Sequence, residues 1–451
     1  MEDTIAAIAT PLGVGAISII RISGEQAIPI ANKIFKGKNL EQVKTHTIHY
    51  GYIMEKKDII DEVLITIMRA PKTYTMEDVV EINCHGGIAA TNKVLELVIE
   101  NGARMAEPGE FTKRAFLNGR IDLTAAEGVM NLIESKTEKA RNLSIHQVNG
   151  DTSKKITEIR KNIGKVLANI EVNIDYPEYE DIEEMTLSML SKEIKSLKNL
   201  ILTILKESKS GQLIKDGINT AIIGKPNVGK SSLLNYMLGE DKAIVTDIAG
   251  TTRDIVEGKY NLNGILLNII DTAGIRETND IVETIGVNKS KELIEKADLI
   301  LYILNNNEEI TKEEQDILKQ LENKKYIVII NKIDLESKLN IDTITTNNVV
   351  KMSALNHIGL EELTSMIEKM FNLEQFELKD LTYLTSARSV AILKQISNQI
   401  LEIEKSIDNQ VPIDLIEIDL KNIWDKLGEI IGESYDDELI DQIFSQFCLG
   451  K

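Results

Sequence analysis

Cysteine is nearly absent from this chain. Of 451 residues only two are cysteine, Cys84 and Cys448. Two cannot make a disulfide framework or a four-cysteine zinc centre, which points to a reducing compartment. Positive charge is also in short supply. There are 52 lysines and arginines against 71 aspartates and glutamates, a net charge of −19. That argues against wholesale coating of nucleic acid, which calls for a basic surface, but leaves room for a local basic patch or for RNA delivered with a partner. No apolar run reaches the ~18 residues of a membrane span. The start, Met1-Glu-Asp-Thr-Ile5, has no basic stretch ahead of an apolar one, so no signal peptide is expected. The expectation is a soluble cytosolic protein, cytoplasmic and without a membrane partner.

Hydrophobic residues make up 43%, enough to bury several cores, and the length suggests about three domains. The stretch that organises the rest is Gly224-Lys-Pro-Asn-Val-Gly-Lys-Ser231. It fits the phosphate-binding loop of nucleoside triphosphatases. Asn219–Ile223 before it reads as a buried strand and Ser232–Leu238 after it as the start of a helix. Glycines let successive backbone N–H groups wrap a phosphate. Asn227, Val228, Gly229, Lys230, Ser231 and Ser232 would form the cradle. Lys230 would reach the β- and γ-phosphates, and the Ser231 hydroxyl would ligate magnesium.

Further pieces follow in the order of a guanine-nucleotide switch. The polar loop Thr246, Asp247, Ile248, Ala249, Gly250, Thr251 and Thr252 lies between the first helix and the second strand of this region, and Thr252 would add a hydroxyl to magnesium. Leu266–Ile270 leads into Asp271, Thr272, Ala273 and Gly274. Asp271 would hold the metal through water, and the Gly274 N–H would sense the γ-phosphate. After the strand Tyr326–Ile330 come Asn331 and Lys332, which would brace the base, and Asp334, which accepts from guanine N1–H and its exocyclic amine. Ser353 and Ala354 would face guanine O6. The combination favours GTP over ATP. Ile275 stands where Ras-like switches carry a water-orienting glutamine. Glu283 is near enough to take that task, although it also reads as an ordinary helix-start carboxylate.

The first 118 residues read as mixed α and β. Strands are expected over Ile5–Ala9, Ala16–Ile22, Thr45–Met54, Glu62–Met68 and Val79–Asn83, with helices from an N-cap at Ser23 towards Phe35 and over Ile88–Ile99. Arg21 interrupts an apolar strand, and by itself reads as an edge-strand charge facing water; Glu81 is placed similarly. Cys84-His85 has no second pair at ligand spacing and reads as structural. Two helical blocks, 119–210 and 376–451, flank a nucleotide-binding region, 217–375. Helices are expected over Ile156–Ile174, Met189–Leu205, Ala387–Ile407, Leu415–Ile431 and Asp437–Phe447, with an acidic loop at 175–184. The economical arrangement is one helical domain with the nucleotide-binding domain inserted, hinged at 211–217 and 371–380. The ending Phe447-Cys-Leu-Gly-Lys451 reads as a frayed tail, or as one whose cysteine reaches a neighbouring site.

At this point the chain resembles, throughout its length, the tRNA-modification GTPase family MnmE, also called TrmE. The residues that carry this are 9–24 (Ala-Thr-Pro-Leu-Gly-Val-Gly-Ala-Ile-Ser-Ile-Ile-Arg-Ile-Ser-Gly), 108–118 (Pro-Gly-Glu-Phe-Thr-Lys-Arg-Ala-Phe-Leu-Asn), Thr246–Asp254, Asp271–Arg276 and Cys448–Lys451. The resemblance implies a folate-binding, dimerising α+β domain over 1–118, an all-α domain in two parts, and an inserted α/β P-loop GTPase domain. It places Arg21, Glu81, Arg120 and Lys451 at tetrahydrofolate, and so overturns the water-facing reading of Arg21 and Glu81. At 120 lysine is the more usual residue, and an arginine fork is not a lysine point charge. It implies a potassium ion held at Asn227, Thr246, Ile248 and Thr251 in place of an arginine finger, with Glu283 orienting water through a second water. It implies a homodimer working with the FAD-containing partner MnmG, in a heterotetramer or larger, on tRNA. The two add an aminomethyl or carboxymethylaminomethyl group to C5 of wobble uridine, with 5,10-methylene-tetrahydrofolate as carbon source. Cys448 is then a candidate nucleophile, unless the partner supplies that chemistry. The competing readings are a ribosome-assembly GTPase switch that binds RNA, and a folate-binding protein with a vestigial GTPase. The first would bring basic modules that this sequence lacks; the intact Lys230, Ser231, Thr252, Asp271 and Asp334 argue against the second.

Overall fold

In the computed structural model the described residues are 3–175, 186–239, 256–270, 294–371, 373 and 384–451. They divide into two compact units. One comprises Met1–Met130, Gln147–Leu187 and Ser406–Lys451; the other comprises Asn131–His146 and Ser188–Lys405.

The first unit is built on a seven-stranded sheet in the order β3-β4-β5-β6-β2-β1-β7. Its strands are β1 (Ile5–Ile8), β2 (Ile17–Ser23), β3 (Phe35–Lys36), β4 (Thr47–Glu55), β5 (Asp58–Met68), β6 (Val79–His85) and β7 (Arg104–Met105). Isoleucine and valine alternate along them, so one face is apolar. Helices α1 (Ala27–Ile34) and α2 (Ile88–Glu100) bury that face, with Ile20, Ile22, Ile65, Ile82 and Val98 at its centre. On the opposite face Ile5 and Ala7 of β1 pack with Phe111 of α3 (Glu110–Leu117). β2 lies between β6 and β1, so it is no edge strand. Ser23 does not cap a helix. It ends β2, and its hydroxyl bonds Thr75 Oγ1 and Glu77 Oε2 at 2.7 Å each. Three residues intervene before α1 begins, and Gln26 stands at its cap.

A buried ionic network anchors α3 beneath this sheet. The Arg114 side chain is fully buried. It donates to the Asp3 carbonyl and to Asp3 Oδ1 at 2.9 Å each, to Glu110 Oε1 at 3.0 Å, and to Glu77 at 3.1 and 3.2 Å. Arg104 grips Glu110 through two bonds of 2.8 and 2.5 Å. Charges this deep persist only when paired and hydrogen-bonded.

Helix α4 (Leu123–Glu134) and α5 (Glu138–Val148) precede the long α6 (Asp151–Asp175). Within the first unit α6 packs on a later helix, Ile413–Ile431; Ile156, Ile159 and Ile163 on the one and Leu420 and Ile423 on the other are buried. Arg160 fastens the pair. Its guanidinium lies 3.9 Å from the Trp424 ring, its Nε donates to the Trp424 carbonyl at 3.1 Å, and Trp424 Nε1 donates back to the Arg160 carbonyl at 3.1 Å.

The second unit carries α7 (Leu187–Asp216), whose buried stripe Leu190, Ile194, Leu197, Ile201 and Ile204 follows helical spacing. The segment 211–217, expected as a hinge, is helical up to Asp216, with Gly211 buried in the helix and Gly217 leaving it at φ +86°. A six-stranded sheet follows in the order β13-β12-β11-β8-β10-β9. Its strands are β8 (Ile218–Ile223), β9 (Val256–Leu262), β10 (Ile265–Ile270), β11 (Leu299–Asn305), β12 (Tyr326–Asn331) and β13 (Val349–Lys351), all parallel to their neighbours except β9. β11 and β12 are buried at every residue, as expected of parallel strands covered on both faces. Helices α8 (Lys230–Gly239), α9 (Lys312–Leu321), α10 (Leu360–Met370) and α11 (Ala387–Asp408) follow in this part of the chain. In the first unit the chain finishes with α12 (Ile413–Ile431) and α13 (Asp437–Phe444). Among the described residues no helix is long and apolar enough to cross a membrane.

Candidate functional site

The central strand β8 delivers the phosphate loop at its C-terminal end, the place where open parallel sheets bind ligands. The loop's shape is fixed by left-handed residues. Gly224 has φ +152°, Asn227 +63° and Gly229 +102°. Such a run turns N–H groups towards one centre. A Cβ at Gly224 would fall 2.6 Å from the Ile303 carbonyl. Val228 is buried in the sheet core and pins the loop's base. Lys230 Nζ donates to the carbonyls of Gly224 and Lys225 at 2.7 Å each, closing the loop on itself. Burial pushes its ammonium below the ordinary lysine value. Ser231 and Ser232 follow in the first turn of α8.

The residues expected to read the base stand at neighbouring strand ends. Asn331 closes β12, and its carboxamide joins two loops. Nδ2 donates to the Val228 carbonyl at 2.8 Å, and Oδ1 accepts from the Ala354 N–H at 3.0 Å. Ser353 Oγ donates to Asp334 Oδ1 at 2.5 Å. The Ser353–Ile358 loop is closed by two reciprocal backbone bonds of 3.1 Å. From it the His357 ring packs 4.4 Å from that of Tyr236 on α8. Asn227, Val228, Lys230, Asn331, Asp334, Ser353 and Ala354 are therefore assembled at one end of one sheet. Thr246–Thr252, Asp271–Gly274 and Glu283 lie outside the described residues.

Gly229 gives a direct test of this packing. A Cβ there would sit 2.1 Å from Asn331 Nδ2, on a backbone at φ +102°. Gly229→Ala must displace the bridging asparagine or the loop. Titration with a fluorescent guanine nucleotide is expected to show affinity reduced by about tenfold or more. Wild-type affinity would show that the loop accommodates the methyl elsewhere.

A second cluster forms in the first unit. Cross-strand register sets Arg21 of β2 opposite Glu81 of β6. Arg21 Nε and Nη2 both reach Glu81 Oε1 at 2.9 Å, with side-chain exposures of 17% and 22%. The pair is thus partly shielded and mutually satisfied. Arg21 Nη1 also donates to the Gly450 carbonyl at 3.2 Å. The tail is not frayed: Phe447 is buried against Phe444, and the Gly109 N–H donates to the Cys448 carbonyl at 3.3 Å. This brings Lys451 to the same cluster. Burial, and then the Arg21 guanidinium, push its ammonium below the ordinary value, against the pull of Glu81 and Cys448. Cys448 is exposed beside it. Arg120 lies over the Tyr74 ring at 4.8 Å, and Arg21 lies 5.9 Å from that ring and 5.7 Å from Phe111. The four residues expected at folate are therefore brought together, and Tyr74 and Phe111, which sequence reasoning missed, sit among them. Phe111 lay inside the run 108–118; Tyr74 lies in an irregular segment with no periodic signal.

Away from these clusters, Cys84 is buried, with Sγ donating to the Ser18 carbonyl at 3.4 Å. His85 Nδ1 pairs with Asp61 Oδ1 at 2.6 Å.

Residues 4–120 match the family model described as the GTP-binding protein TrmE N-terminus, and residues 123–448 match that of the MnmE helical domain. A relative from Ligilactobacillus salivarius, a tRNA modification GTPase MnmE, is 52% identical over 100% of this chain and 98% of its own length. The corresponding protein of Bacillus mycoides is 51% identical over 100% of this chain and 99% of its own. The chain belongs to the MnmE family of tRNA modification GTPases. The helical-domain span of this MnmE-family chain, 123–448, contains all of β8–β13. Its architecture is therefore multidomain: an α+β N-terminal domain, an all-α domain, and an α/β P-loop domain inserted in the latter.

Proposed function

We propose that this chain hydrolyses GTP to GDP and phosphate and couples that hydrolysis to the modification of tRNA. The observation that carries the reading is the Asn331 carboxamide, which ties the phosphate loop to the guanine-reading loop at 2.8 and 3.0 Å. Phosphate and base sites are thereby set at a fixed spacing, the requirement for a guanine-nucleotide enzyme. Membership of a family whose relatives are named tRNA modification GTPases supports the coupling.

The residues fit the groups implied. The N–H cradle and Lys230 suit a triphosphate, and Ser231 lies in the first turn of α8, where magnesium would need its hydroxyl. When bound, magnesium and potassium would supply fixed positive charge to the developing negative charge on the phosphates. Asn227 is exposed at the loop's crest, able to offer its carboxamide oxygen to potassium. In the other cluster Glu81 can accept from a pterin's N–H groups, while Arg21, Arg120 and Lys451 can hold anionic groups. When bound, 5,10-methylene-tetrahydrofolate would supply the one-carbon unit. We take the target to be C5 of wobble uridine, the partner to be the FAD-containing MnmG, and the chain to act as a homodimer in the cytoplasm. We also propose the domain limits 1–118, 119–210, 217–375 and 376–451.

The test is GTP turnover by the purified chain in potassium and in sodium at equal ionic strength. Potassium is expected to stimulate by about tenfold or more, and Asn227→Ala to lose that stimulation. Equal slow rates in both salts would sink the cation mechanism and favour a switch that awaits a protein activator. Fully modified wobble uridines in cells lacking the gene would sink the tRNA reading itself.

A further inference from the structure

Tyr74 contacts both arginines of the folate cluster, although nothing in the sequence marks it. It lies in the irregular connection between β5 and β6. Its hydroxyl shares a 2.9 Å hydrogen bond with Thr112 Oγ1 of α3, a residue with no exposed surface. That bond fixes where the ring can lie. Arg120 places its guanidinium carbon 4.8 Å from the ring centre, and its Nη1 donates to the Tyr74 carbonyl at 3.2 Å. Arg21 approaches the same ring to 5.9 Å.

The two guanidiniums are held differently. Arg21 has Glu81 and the Gly450 carbonyl as well as the ring. Among the described residues the Arg120 guanidinium has only Tyr74, through ring and carbonyl, and no carboxylate pairs with it. Two like charges brought to one ligand repel each other, and a long arginine side chain left to itself prefers water. An aromatic face offsets both tendencies, because its negative quadrupole attracts the cation and its plane matches the guanidinium's. A lysine at 120 could not use the plane in that way.

We infer that Tyr74 is the positioning residue of the folate site: its ring, set by Thr112, holds the Arg120 guanidinium beside Arg21 so that both meet a single ligand. The inference rests on the folate reading above. Tyr74 acts through Arg120, so the two are one device, and removing either removes the same contribution.

The experiment is a double-mutant cycle on the affinity of the full chain for tetrahydrofolate, with Tyr74→Phe, Tyr74→Leu, Arg120→Ala and the Tyr74→Leu/Arg120→Ala pair. Tyr74→Leu is expected to weaken binding about tenfold. Tyr74→Phe, which keeps the face but loses the Thr112 bond that sets it, is expected to weaken binding by about threefold, less than Tyr74→Leu. The pair should bind no more weakly than Arg120→Ala alone. Tyr74→Met, which fills the volume without a π face, serves in the same cycle if the leucine variant loses its melting transition. Strictly additive losses, an unaffected Tyr74→Leu, or a Tyr74→Phe as weak as Tyr74→Leu would each overturn the positioning role while leaving the folate reading intact. No binding by the unsubstituted chain would overturn the folate reading and this role with it.

Discussion

Lys230→Ala is expected to lower kcat for GTP by about 10²–10³-fold, the usual loss when a preorganised donor to a developing anion is removed. Lys230 Nζ rests on the carbonyls of Gly224 and Lys225 at 2.7 Å, so its ammonium is already inside the loop that would hold the phosphates. Burial disfavours its charge, and a phosphate would restore it. The gain from Lys230 therefore grows with the charge on the bound phosphates and is largest in the transition state. Single-turnover hydrolysis at saturating GTP separates this from weaker binding. A variant that keeps kcat but raises KM would assign Lys230 to binding alone. Lys230→Arg is no rescue, because a planar fork does not fit a loop shaped round a point charge.

The largest stability loss is expected at Arg114. Arg114→Met leaves the buried Glu110 and its neighbour Glu77 short of their partner, at a cost of about 3–5 kcal/mol. Because the chain has more than one unit, the readout is the first transition of a thermal melt rather than a single Tm. The network also sets a pH dependence. Burial alone would raise the Glu110 carboxyl, but hydrogen bonds from Arg104, from the Glu107 N–H and from Arg114 outweigh it and hold the carboxyl below its ordinary value of 4.5. Asp3 is held below 3.8 in the same way, with Arg104 and Arg114 overcoming burial. A carboxyl depressed in the folded state contributes stability that is present above its unfolded pKa and lost as pH falls through its folded one. The first transition should therefore be insensitive to these groups from neutral pH to about 5, and should fall in acid below the usual carboxylate range. In Arg114→Met the fall should begin at higher pH, since burial then meets less opposition at Glu110. A melt whose acid limb is unchanged by the substitution would remove Arg114 from this account.

How much of this was legible depended on the range of the interactions. The phosphate loop, Asn331, Asp334 and Ser353 are local patterns at the ends of apolar strands, and the structure places them at the C-terminal ends of β8, β12 and β13. Helical blocks were readable from periodicity, as in α7 and α11. Arg21 was not readable from its own strand. Its surroundings depend on a register sixty residues away, |i−j| = 60 to Glu81, and on β2 being interior. Ser23 looked like a helix cap because its neighbours allowed it, yet Thr75 and Glu77 compete for its hydroxyl. Within the segment 211–217 the sequence did not show that the helix runs on to Asp216, because Gly211 is buried on a packed helix face. Tyr74 left no trace, because its partners come from β2, from α3 and from the segment after it.

The bond from Arg21 to the Gly450 carbonyl spans 429 positions of sequence, and that separation has a consequence for how the protein is born. At bacterial-type synthesis speeds of about 5–20 residues per second, the arginine waits roughly 20–90 s for its acceptor to be made. Over that interval the segment 188–405 emerges from the ribosome whole and is free to fold ahead of the unit whose synthesis began first. A nascent chain thus gains the phosphate loop and its sheet while the Arg21–Glu81 cluster still lacks Gly450, so the two clusters are completed in the reverse of their order along the sequence.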